Sequence, residues 1–155
     1  MKILVSACLL GTPCRYDGQS KASAAVAALG AEHELIPVCP EVLGGLPTPR
    51  PPAERQPDGR ILNRAGQDVT AEYETGAAAA VKLARQEGCP LAILKARSPS
   101  CGRGEIYDGG FSGTLVPGDG AAARRLLDAG VTVLNENEAE GYFQSLPSPD
   151  KGKHA

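Results

Sequence analysis

Short apolar runs alternate along this chain with amphipathic, alanine-rich segments, the pattern of βα units that build a parallel sheet. Three of these runs, Ile3 to Val5, Leu35 to Val38 and Leu91 to Leu94, each lead into a Gly/Pro-rich turn that carries a cysteine. The fold class read from this pattern is α/β: a single Rossmann-like domain over residues 1–146, with a mostly parallel sheet flanked by helices. Strands are predicted over Lys2 to Ser6, Glu34 to Val38, Leu91 to Lys95 and Val131 to Leu134. Helices are predicted over Lys21 to Leu29, Thr75 to Gln86, Ala121 to Asp128 and Glu136 to Ser145. Asp68 to Glu72 offers capping residues ahead of the second helix. With no Trp and two Phe, the core has to be built from Ala, Leu, Val and Ile.

From Leu43 to Asp68, glycines and prolines recur among charged residues, and only Ile61-Leu62 offers a strand. The segment is expected to be a long loop or a short hairpin, and connections of this length usually cover a functional site. A lid over the strand ends is the favoured reading, against a surface excursion. The tail, 147–155, lacks apolar residues and is expected to be disordered.

Several function classes are disfavoured by composition. A formal net charge of −2 and the lack of a dense Lys/Arg run argue against extended nucleic-acid binding. No segment approaches membrane-spanning length, and the N-terminal apolar run is too short for a secretory core. A cytoplasmic protein acting on a small molecule is expected, with oligomeric state open. The five cysteines, an odd number without an export signal, read as reduced thiols or metal ligands rather than disulfides.

In an open parallel sheet the carboxyl ends of the strands form the ligand-binding edge, which lets Cys8, Cys39 and Cys101 converge. Cys89 sits at the opposite edge and reads as structural. Cys14 is either a fourth ligand, a reactive thiol or a loop residue. Structural zinc calls for four ligands, commonly as close pairs, and no such pair is present. His33 and His154 are badly placed as ligands. A 4Fe-4S cluster on three thiolates would leave one iron open to substrate.

The segments Ser6-Ala7-Cys8-Leu9-Leu10-Gly11 with Arg15-Tyr16-Asp17-Gly18, Cys39-Pro40-Glu41 with Gly44-Gly45-Leu46-Pro47-Thr48-Pro49-Arg50, and Ser98-Pro99-Ser100-Cys101-Gly102 resemble the thiouracil desulfidase family. The resemblance runs from about Lys2 to Glu136. It implies a 4Fe-4S cluster held by Cys8, Cys39 and Cys101 with one open iron, and Cys14 as a non-ligand. It also implies non-redox desulfuration of thiouracil or thiouridine monophosphate, releasing uracil or UMP and hydrogen sulfide. The open iron is a Lewis acid with affinity for soft sulfur, suited to polarising a thiocarbonyl towards water.

Water attack needs a base, and the ring nitrogen needs a proton. Glu41 is the first candidate, Asp17 the second, and Ser100 is placed to donate a hydrogen bond. Arg15, Lys95, Arg97 and Arg103 are candidates for a nucleotide phosphate. Two other classes stay open: a cluster-free sulfur-transfer enzyme working through a cysteine persulfide, and a redox-sensing nucleotide-binding module.

Overall fold

The computed structural model describes residues 1–145. The expected disordered tail therefore lies outside the described residues. In chain order the elements are β1 (Lys2–Ser6), α1 (Ala24–Ala28), β2 (Glu34–Val38), α2 (Pro40–Leu43), β3 (Ala53–Arg55), β4 (Ile61–Asn63), α3 (Thr70–Glu87), β5 (Leu91–Leu94), β6 (Glu105–Tyr107), β7 (Leu115–Pro117), α4 (Ala121–Asp128), β8 (Thr132–Asn135) and α5 (Glu136–Ser145). Short 3-10 turns follow β1 and α1, at Ala7–Leu10 and Leu29–Ala31.

Four strands form a sheet in the order β2-β1-β5-β8, with every adjacent pair parallel. This is the α/β arrangement with a parallel central sheet that the alternating pattern predicts. Strand side chains alternate between faces, so the apolar runs feed two cores. Leu4, Ala92, Leu94 and Val133 pack beneath α3 and α4, where Tyr73, Ala77, Ala80 and Ala84 form one helical stripe. Ile3, Val5, Leu91 and Ile93 face the other way, against Val26 of α1 and Ala139 of α5. The connection from β1 to β2 moves one way across the sheet, and the connection from β2 to β5 moves back past β1. Crossovers of one hand running in opposite directions place their helices on opposite faces. The order reverses between β1 and β5, and a crevice opens beyond the carboxyl ends of strands at such a point.

Two antiparallel hairpins, β3–β4 and β6–β7, stand apart from the main sheet. The first lies within the Gly/Pro-rich segment. The second went unpredicted, because strands of three residues flanked by glycines carry too little periodicity to read.

Helix limits differ from the sequence expectation for local reasons. α1 begins at Ala24 because the Lys21 and Ser23 amides donate to the Cys8 and Leu9 carbonyls, holding that stretch extended against the first turn. Ser23 then caps the helix, its Oγ accepting from the Val26 amide. α3 begins five residues earlier than expected, at Thr70. The Thr70 hydroxyl donates to Asp68 and accepts from the Ile61 amide, tying the helix start to β4.

α2 was not foreseen, and its placement depends on two close approaches. A Cβ on Gly44 would lie 2.0 Å from the Glu72 carbonyl oxygen, and one on Gly76 would lie 1.8 Å from the Pro40 carbonyl oxygen. Only glycine at both positions lets the backbone of α2 rest directly on α3.

Candidate functional site

Beyond the carboxyl ends of β1, β2 and β5 lies a cavity of about 640 Å³. Cys8 enters it from the 3-10 turn after β1, Cys39 from the single residue between β2 and α2, and Cys101 from the turn after β5. Cys14 lines the same cavity, and Cys89 does not. All five cysteines are unpaired thiols.

The thiols sit in a weakly hydrated setting. Burial pushes Cys8 up to about 11, with the neighbouring Cys39 adding to the effect. Cys14 is pushed up to about 12 by burial and then by Cys39, whose side chain it meets in a hydrogen bond. Burial also raises Cys101, opposed by a hydrogen bond from Ser6. Cys8, Cys14 and Cys101, three thiols that resist ionisation as free groups, are suited to a positively charged metal partner, which favours the thiolate.

Among the described residues, no three cysteine, histidine or acidic side chains stand close enough to hold one metal ion. A cluster that takes one thiolate per iron asks instead for several thiols around one cavity, and this donor set fits it. His33 is elsewhere, bonded to the N-terminal amine and tilted against Phe143.

Glu41 occupies the first turn of α2 and lines the cavity. Its Oε2 is gripped by Arg50, which donates from Nε at 3.0 Å and from Nη2 in a shorter bond. Arg50 is itself almost fully buried and donates further to the carbonyls of Pro47 and Cys14 and to the Thr48 hydroxyl, each at 3.1 Å. Burial disfavours its charge, but the Glu41 carboxylate more than offsets that and raises its pKa. One guanidinium thus joins α2, the Cys14 loop and the start of the 43–68 segment.

The other Glu41 oxygen, Oε1, accepts from the Ser98 hydroxyl at 3.3 Å. Ser98 Oγ in turn accepts from the amides of Ser100 and Cys101, both at 3.0 Å. With both lone pairs engaged by amides, the single hydroxyl proton is directed at Glu41. Tyr73 of α3 completes this wall, its phenol raised by burial and by Glu41.

The remaining sequence candidates separate. Ser100 is 1% exposed, does not line the cavity, and its hydroxyl has no hydrogen-bond partner among the described residues. Asp17 also lies off the cavity lining, accepting from the Gln19 amide and standing 3.8 Å from Arg15. Arg15, Lys95 and Arg97 line the cavity, whereas Arg103 does not and pairs with Asp119. Lys95 is neutralised by Glu136 at 2.7 Å. Arg97 has no carboxylate within ion-pair distance among the described residues.

Sequence reasoning missed Ser98, Arg50 and Tyr73 as parts of the site. Ser98 and Ser100 flank the same proline, and nothing local says which one faces the cavity. Arg50 ends the Gly44-to-Arg50 motif with nothing local to give it a role, and Tyr73 carries no local signal.

A family model described as 2-thiouracil desulfurase matches residues 3–138. The chain belongs to the 2-thiouracil desulfurase family. Among its relatives, the uncharacterized protein YbbK of Bacillus subtilis (strain 168) is 43% identical over 145 residues, covering 88% of this chain and 96% of that protein. A solved structure of the 4Fe-4S-dependent thiouracil desulfidase TudS (DUF523Vcz) is 49% identical, with a TM-score of 0.85 over 93% of this chain and 96% of the other. The family match spans all three cysteine-bearing turns and the Glu41–Arg50–Ser98 network.

Proposed function

We propose that this protein removes sulfur from a thiouracil, as free base or thiouridine monophosphate, by hydrolysis without net redox change, releasing uracil or UMP and hydrogen sulfide. The observation that carries the reading is one cavity lined by Cys8, Cys39 and Cys101 together with a clamped carboxylate, Glu41. Those three cysteines would hold a 4Fe-4S cluster with one iron left open, and Cys14 would remain a free neighbour. When bound, the cluster supplies a Lewis acid with affinity for the thiocarbonyl sulfur.

The chain's own residues do the acid–base work. Arg50 fixes Glu41 Oε2 through two donors, which leaves Oε1 as the oxygen that takes a proton from an attacking water and passes it to the ring nitrogen. Ser98, rather than Ser100, orients that oxygen through its hydroxyl. Asp17 serves the site from outside, by restraining Arg15.

Arg97 favours the nucleotide over the free base, because it lines the cavity with no carboxylate at ion-pair distance among the described residues, unlike Arg15 beside Asp17 and Lys95 beside Glu136. Loss of Arg97 is expected to reduce kcat/KM for a thiouridine monophosphate while leaving that for free thiouracil unchanged.

The deciding experiment is the iron and sulfide content and visible spectrum of protein purified without oxygen. A broad band near ~400 nm is expected for wild type and Cys14→Ala, and its loss for Cys8→Ala, Cys39→Ala and Cys101→Ala. Glu41→Gln is expected to retain the band and lose desulfidation. A colourless, iron-free protein that still releases sulfide from thiouracil would overturn the cluster reading in favour of a cysteine thiolate that attacks the thiocarbonyl carbon, expels hydrosulfide and is itself displaced by water.

A further inference from the structure

A second concavity, of about 860 Å³, is bounded by α3, α4 and the β3–β4 hairpin, and shares no lining residue with the cysteine cavity. Its charge is unusual for this chain. Arg55, Lys82, Arg85, Arg124 and Arg125 line it, against two carboxylates, Glu74 and Asp128. That leaves a formal surplus of three positive charges in one hollow of a protein whose formal net charge is −2.

Ordinary structural roles account for only part of this set. Arg125 is paired with Glu74 at 2.7 Å, and Arg85 lies in the last turn of α3, where a cation complements the helix dipole. Arg55 and Arg124 have no such explanation. Neither side chain makes a hydrogen bond or a close ion pair among the described residues. Arg55 is half-buried, and its pKa is lowered by burial and then by Arg124, an effect that the nearby Glu74 and Asp119 carboxylates, paired instead with Arg125 and Arg103, only partly offset. Lys82 adds a third cation on the facing helix.

We propose that this hollow binds the polyphosphate chain of a small anion, such as a nucleoside diphosphate or triphosphate. Planar guanidinium groups hydrogen-bond phosphate oxygens in pairs, and a polyphosphate supplies several negative charges within a few ångströms. A nucleic-acid backbone is the poorer match, because these five cations line a single concavity and the chain's formal net charge is −2. The site is independent of the reading of the cysteine cavity. Two elements are common to both hollows: Glu54 of β3 and Tyr73 of α3 line the cysteine cavity, and their sequence neighbours Arg55 and Glu74 line this one.

Isothermal titration calorimetry of the whole protein with inorganic tripolyphosphate, at about 0.15 M ionic strength to screen exposed charge, tests the proposal. One saturable site is expected, weakened about tenfold or more by Arg124→Glu and by Arg55→Gln, and unchanged by Arg97→Ala in the other cavity. Arg124 is exposed on α4, so its charge reversal leaves the fold intact and decides the matter even if Arg55→Gln unfolds. Absence of binding, binding that survives Arg124→Glu, or loss of binding in Arg97→Ala would overturn the proposal. So would displacement of tripolyphosphate by a single-stranded RNA oligonucleotide at equal phosphate concentration.

Discussion

Arg50 carries more of the site's geometry than any other single side chain. Its fork holds Glu41 through two donors while its remaining donors bind two carbonyls and a hydroxyl from separate loops. Lysine keeps the charge but cannot form the fork. Arg50→Lys is therefore expected to lower kcat roughly tenfold to a hundredfold, the equivalent of one or two charge-assisted hydrogen bonds, with KM for a thiobase little changed. Steady-state kinetics on protein of matched iron content would check this.

The two serines beside Pro99 make a sharper contrast. Ser98→Ala removes the donor to Glu41 and is expected to impair turnover. Ser100→Ala removes a buried hydroxyl that has no hydrogen-bond partner among the described residues, and is expected to leave activity intact and the melting temperature equal or higher. If Ser100→Ala instead abolished turnover while Ser98→Ala did not, the assignment of roles would be reversed.

At the level of elements, the placement of Glu41 depends on a four-residue helix that could not stand alone. α2 is held by backbone contact with α3 through Gly44 and Gly76. Gly76→Ala inserts a methyl where a carbonyl oxygen already sits, so α2 has to move. A loss of roughly 1–3 kcal/mol of stability is expected, together with a fall in activity at unchanged cluster content. Denaturant unfolding and iron analysis on the same preparation would separate the two effects.

The β3–β4 and β6–β7 hairpins act as a second layer around the cavity mouth. Glu54 of β3 is buried, and its Oε1 accepts from the amides of Gly109 and Phe111 at 3.0 and 3.1 Å. Arg64, just after β4, lies over the Phe111 ring at 5.4 Å. The 108–113 loop is thus held to the first hairpin at two points, through contacts between residues some fifty positions apart in the chain.

At the scale of the whole molecule, the parallel sheet is the frame that brings three turns to one edge. Ile93, on the central strand β5 and fully buried, packs in the core on the α1 and α5 side. Ile93→Ala is expected to cost about 2–5 kcal/mol, read from denaturant unfolding, and to lower the amount of protein that holds iron before it alters the chemistry of what remains.

The four parallel strands and the edge of the sheet at which Cys8, Cys39 and Cys101 emerge were legible in the residues themselves, whereas the β6–β7 hairpin was not. Apolar runs of strand length, broken by Gly and Pro, act over a few neighbouring positions, and a parallel sheet then dictates which ends lie together. The choice of Ser98 over Ser100, the Arg50 clamp, the docking of α2 and the basic hollow between α3 and α4 were decided only by the tertiary structure. Each depends on groups distant in sequence meeting at hydrogen-bond or van der Waals distance, and neither periodicity nor local propensity encodes that meeting.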